Sequence, residues 1–112
     1  MPRDPLSPRR TTADRLREAL LGLGRHKAAV VTHREKAWSS VTFEGARHTV
    51  TLRFDGQEAI AAAEHLIAAL PEHEFAILGQ LVAEATVTRV DHILLPQAHM
   101  TVECELLLLV DA

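Results

Sequence analysis

The sequence predicts an α+β fold: an antiparallel sheet of about four strands in two hairpins, one alanine-rich helix packed on it, and a further helix at the N-terminus. Three observations lead there. Strand-like runs come in neighbouring pairs, at residues 37–54 and 84–110. An alanine-rich stretch with helical spacing, Gln57–Leu70, separates the pairs. A second helical pattern precedes them. Strands that follow one another through short turns favour antiparallel pairing over parallel βαβ units.

The elements follow in order. Residues 1–10 hold three of the five prolines among Arg and Ser, which predicts a tail disordered until it binds something. Residues 11–112 are then read as a single α+β domain. Thr11 or Thr12 offers an N-cap oxygen, and Asp14 suits the positive end of a helix dipole. Leu16, Ala19, Leu20 and Leu23 recur at helical spacing, so a helix is expected over about 12–22, ended by Gly22 and Gly24. Ala28–Thr32 is short, apolar and β-branched; its length does not decide between strand and helical turn.

Ala37–Phe43 and Ala46–Phe54 flank Glu44-Gly45, which reads as a two-residue hairpin turn. Closing on that turn pairs Phe43 with Ala46 and Val41 with His48. Val41, Phe43, Val50, Leu52 and Phe54 then share a core face. Trp38, Ser40, Thr42, Arg47, Thr49, Thr51 and Arg53 share the outer face. In the alanine-rich helix, Ile60, Ala63, Ile67 and Leu70 form the apolar stripe, and Pro71 stops it. Glu84–Val90 reads as strand, with 75–83 as its bulged beginning or a separate piece. Pro96-Gln97 marks a turn. His99–Val110 is the last strand, with Met100, Val102, Cys104, Leu106, Leu108 and Val110 on one face. In outline this is half of a ferredoxin-like sandwich, an analogy of shape that carries no function.

Leu107 and Leu109 make the second face of that last strand apolar as well. A solvated face does not carry two leucines, so a cover is expected: the N-terminal helix or another copy of the chain. Full burial of two leucines is worth roughly 3–6 kcal/mol.

Charge is split along the chain. Residues 1–36 carry nine Lys/Arg against four acids, and residues 37–112 carry three against eleven. Such asymmetry points to association rather than chemistry. The first reading is a non-enzymatic module that forms homo-oligomers or binds another protein, with Leu107 and Leu109 as interface. The competing reading is a binder of a small molecule or anion, or a small enzyme, on the outer hairpin face around Trp38, Arg47, Arg53 and Lys36.

Other classes have weaker anchors. Seven histidines lie without metal-site spacing; His33, Glu35 and His48 are the one candidate set, and no cofactor is implied. Cys104, among apolar neighbours and flanked by Glu103 and Glu105, reads as a core thiol, and a lone cysteine excludes an intrachain disulfide. The absence of a secretory h-region and of a long apolar run reads as a soluble, cytoplasmic chain. A pI near 6.1 and few aromatics weigh against nucleic acid despite the basic first third. A strand-to-strand link between Arg89 and Glu105 is expected.

Overall fold

The computed structural model describes residues 10–111. The expectation of a disordered N-terminal tail falls almost wholly outside that range. The elements are α1 (Thr12–Leu23), β1 (Ala28–Ser39), β2 (Glu44–Asp55), α2 (Gln57–Ala69), β3 (Gln80–Ile93) and β4 (His99–Val110). The four strands form one antiparallel sheet in the order β1-β2-β4-β3. It is the α+β fold that the sequence predicts. Strands β2 and β3 run parallel with β4 inserted between them and α2 connecting them. This is the split βαβ arrangement that the half-ferredoxin outline implies, with β1 added at one edge.

Helix α1 starts where the sequence places it. The Asp14 N–H donates to Thr11 Oγ1 at 3.1 Å, and the Thr11 N–H donates to Asp14 Oδ2 at 2.9 Å. This reciprocal capping box satisfies two otherwise orphaned donors. Only Leu16 and Leu20 of α1 are buried. Helix α2 begins after Gly56, whose φ of +90° is a conformation that favours glycine. It buries Ala59, Ile60, Ala62, Ala63 and Leu66.

Both helices lie on one face of the sheet. Their buried side chains form a single cluster with Val50, Leu52, Phe54, Met100, Val102, Cys104, Leu106 and Leu108. The small side chains of α2 let it approach the two central strands closely. The opposite face carries no helix among the described residues.

The first hairpin departs from the sequence reading. Strand β1 is one element, and it absorbs both Ala28–Thr32 and the polar stretch His33–Lys36. Its turn is Ser40–Phe43, not Glu44-Gly45. Ser40 N–H donates to the Phe43 carbonyl at 2.8 Å, and Phe43 N–H donates to Ser40 Oγ at 3.1 Å. Ser39 therefore pairs with Glu44, and Glu35 with His48. Val41 and Phe43, expected in the core, sit in this loop and are exposed.

Gly45 has a different task from the one its place beside Glu44 suggests. It pairs with Leu109 across the centre of the sheet, and a Cβ there would overlap the Leu108 carbonyl. Glycine allows the β2 and β4 backbones to approach at this point.

The edge strands are irregular and the central pair is not. Strand β1 has a register shift between Val30 and Thr32, and β3 has two, between Val82 and Glu84 and between Val87 and Arg89. The β2–β4 pairing runs without interruption from Asp55–His99 to Gly45–Leu109.

Candidate functional site

Side-chain alternation along β1, β2, β4 and β3 composes the helix-free face in rows. The first row reads Trp38, Gly45, Leu109, Leu81. The second reads Lys36, Arg47, Leu107, Glu84. The third reads Arg34, Thr49, Glu105, Thr86, and the fourth begins at Thr32 and ends at Arg89 through Thr51 and Glu103. One end of the face is thus apolar. Beyond it, Arg34, Lys36 and Arg47 stand on the β1 and β2 side and Glu84, Glu103 and Glu105 on the β4 and β3 side, with Arg89 of β3 the exception.

This geometry brings together residues that the sequence assigned to two rival readings. Trp38, Lys36 and Arg47 share the face with Leu107 and Leu109. Arg53 does not join them. It sits near the other end of β2, opposite Ala29, and Arg53 Nε donates to Asp55 Oδ1 at 2.8 Å.

Of the two covers expected for Leu107 and Leu109, the N-terminal helix is not the one. Helix α1 packs on the opposite face, yet the leucines are only 4% and 7% exposed. Their shelter comes from the sheet itself. Arg47 on β2 reaches across β4 to Glu84 on β3, with Nη1 to Oε2 at 3.3 Å, and also meets Glu105 Oε1 at 3.1 Å. Leu107 pairs with both Arg47 and Glu84, so this ion pair passes over it. Leu109 lies between bare Gly45 and Leu81 in the row that begins at Trp38. The two leucines are therefore a floor, and the accessible apolar surface is Leu81, 55% exposed, with half-buried Trp38. A charge placed at Leu107 would break the sheet before it tested any interface.

Two expected charge roles change. Arg47 already holds two carboxylates and Arg53 holds one, so neither guanidinium stands ready for an anion. Arg89 does not reach Glu105. The bulge between Val87 and Arg89 sets it opposite Glu103, and its Nε donates to Asp91 Oδ2 at 2.9 Å.

The helix-covered face holds the second polar constellation. His48 is 1% exposed beneath α1. Arg17 Nη1 donates to His33 Nδ1 at 2.7 Å, and His33 Nε2 lies 2.8 Å from His48 Nδ1. Arg17 also pairs with Asp14. Because a guanidinium only donates, His33 Nδ1 accepts, its proton is on Nε2, and His48 Nδ1 accepts in turn. The remaining proton of neutral His48 is then on Nε2, which has no protein partner among the described residues. Burial leads in lowering the pKa of both rings; at His33 the His48 ring and then Arg17 add to it, and at His48 Glu35 opposes it more than Arg17 adds. Hydrogen bonds with Thr11 lead in holding the Asp14 carboxyl below its usual value.

The candidate metal set is only partly assembled. His33 and His48 meet, and Glu35 pairs with His48 across the strands. Arg17 and the neighbouring ring occupy the His33 nitrogens, and the tautomers leave His48 without a free lone pair. No three His, Cys, Asp or Glu side chains converge as a metal site among the described residues. Beside His48 a cleft of about 400 Å³ opens at the hairpin end, over the small Ala37–Ala46 pair and lined also by Thr12, Glu35 and Gln80.

Cys104 is buried in the core, as its neighbours suggest. Burial, aided by Glu103, pushes its thiol up to about 12. Among the described residues no helix is long and apolar enough to cross a membrane.

Sequence reasoning missed Leu81 and Arg17. The first sits in 75–83, where composition does not separate a bulged strand start from a separate piece. The second contributes only because α1 docks over β1, and periodicity does not reveal docking.

No protein-family model, curated protein or solved structure matches this chain.

Proposed function

We propose that the chain is a non-enzymatic association module that works through the helix-free face of its sheet, and that its first partner is another copy of itself. The observation that carries this reading is the first row of that face. Leu81, 55% exposed, and half-buried Trp38 stand at its two edges, and exposed apolar surface rimmed by charge marks a contact site.

The edges favour a face over a strand-addition mode. Long edge strands invite pairing with another chain, and bulges and charged residues discourage it. Here β1 and β3 both carry bulges, and β1 presents Arg34, Glu35 and Lys36 in succession. The competing reading, an anion or metabolite bound near Trp38, loses support because Arg47 and Arg53 are paired with acids of their own chain.

Light scattering behind size-exclusion chromatography tests the proposal. The expected result is a dimer or larger species at micromolar concentration, reduced to monomer by Leu81→Glu with an unchanged circular dichroism spectrum. A monomer at every concentration and salt would sink the reading.

A further inference from the structure

We infer that two copies associate face to face about a two-fold axis that lies in the plane of the interface, parallel to the strands and midway between β2 and β4. This inference rests on the association reading above and adds its geometry.

The argument is one of pattern. Two sheets meeting through the same face have two simple isologous arrangements. In one, the axis runs across the strands. Each β1 then lies over its own counterpart, which sets Arg34 and Lys36 against Arg34 and Lys36. It also inverts the rows, so the apolar end meets the charged end. Like charges across an interface and buried unpaired charge both oppose association.

In the other, the axis runs along the strands. The rows stay in step while left and right exchange. Strand β1 then lies over β3 of the other copy, and β2 over β4. Trp38 faces Leu81, Gly45 faces Leu109, and Lys36 faces Glu84, each contact made twice. Arg34 comes to stand near the Glu84 and Glu105 side of the opposite sheet.

Among the described residues Arg34 and Lys36 make no ion pair, whereas Arg47 is engaged with two. The basic side of the face therefore has charge to offer, and the acidic side exposes Glu84. The charge split of the sequence has its structural counterpart here, in complementary halves of one surface.

Size is compatible with a modest dimer. Four strands about 4.8 Å apart and four rows about 6.7 Å apart give a flat projection of roughly 500 Å² per copy. The two copies together reach roughly 1,000 Å², the lower end of specific interfaces. Sheets packed face to face settle at about 30° to one another, which the twist of each sheet imposes.

Cysteine cross-linking decides between the arrangements. Trp38 and Leu81 sit on the two edge strands of one row, three strand spacings or about 14 Å apart, too far for a disulfide within a chain. Native Cys104 is buried and does not compete. The double variant Trp38→Cys/Leu81→Cys, treated with a short bifunctional methanethiosulfonate that spans the sheet-to-sheet gap of about 10 Å, is expected to run as a covalent dimer on a non-reducing gel. Each single variant is expected to stay monomeric there. A Trp38→Cys single variant that cross-links to itself would set β1 against β1 of the other copy and overturn the inference.

Charge exchange gives a second readout that keeps Trp38 and Leu81 intact. Lys36→Glu alone is expected to weaken association at low salt by roughly fivefold, from two opposed pairs. Lys36→Glu with Glu84→Lys is expected to restore it. A wild-type dimer that neither cross-links in the double-cysteine variant nor responds to Lys36→Glu defeats this geometry while leaving the association reading standing. A wild-type monomer defeats both.

Discussion

Acid should loosen this fold through its two packed imidazoles, and replacing one of them should remove much of that sensitivity. His33 and His48 are held neutral chiefly by burial, joined at His33 by the neighbouring His48 ring and Arg17 and at His48 by Arg17 against Glu35. Their folded pKa values lie below the ordinary 6.5, which the unfolded chain retains. Below pH 6.5 the unfolded state therefore takes up more protons than the folded one. The stability they contribute is complete above pH 6.5 and is lost as pH falls beneath it. Each group can contribute a slope of at most about 1.4 kcal/mol per pH unit. His33, partly open to solvent, gives less than His48. In His48→Leu the ring is replaced by an apolar side chain. The buried Nε2–H, worth about 1–3 kcal/mol when unsatisfied, disappears with it. Against that stands the net value of the lost His33–His48 hydrogen bond, about 1 kcal/mol. His48→Leu should thus be neutral or more stable at pH 7.5, and its stability should fall less between pH 6.5 and 5.5. Urea denaturation followed by circular dichroism at three pH values measures both effects. A loss above about 2 kcal/mol at pH 7.5, or an unchanged acid slope, would refute the reasoning.

Two further substitutions or treatments probe other parts of the structure. Cys104, with its thiol pushed up to about 12, should ignore a thiol reagent such as DTNB at pH 8 and react fully in 6 M guanidinium; rapid labelling of the folded protein would contradict its burial. Gly45→Ala should lower stability by at least ~1–3 kcal/mol, because its Cβ overlaps the Leu108 carbonyl and the strands must part; an unchanged urea midpoint would show that the close approach is not required.

Much of this architecture is legible in the residues, and the exceptions have physical causes. The Thr11–Asp14 capping pattern and the leucines behind it announce α1, and strict alternation from His99 to Leu106 announces β4. The first hairpin misleads because Gly45 beside Glu44 resembles a turn, while the glycine serves a backbone contact with β4. The resulting six-residue displacement along β1 is even, so Trp38 stays on the outer face and Val50, Leu52 and Phe54 stay in the core. Val41 and Phe43, on the displaced stretch, do not. The bulges in β3 leave no clear mark in the sequence, and they are what set Arg89 opposite Glu103 instead of Glu105. The apolar second face of β4 is plain in Leu107 and Leu109. That Arg47 shelters Leu107 by reaching two strands away follows only from the strand order, which hairpin signals do not supply.

The uninterrupted β2–β4 pairing has a kinetic meaning. Each outer strand is tied to its inner neighbour by a short turn, so both hairpins form from local segments. The pairing that unites them joins residues from 44 apart in sequence, Asp55 with His99, to 64 apart, Gly45 with Leu109. Closing so long a loop costs chain entropy before any contact repays it, and topologies of this kind fold slowly for their size. Two preformed hairpins must find each other along one seam, with α2 as the tether between them. A substitution that weakens this seam is expected to slow folding more than one of equal cost in either hairpin.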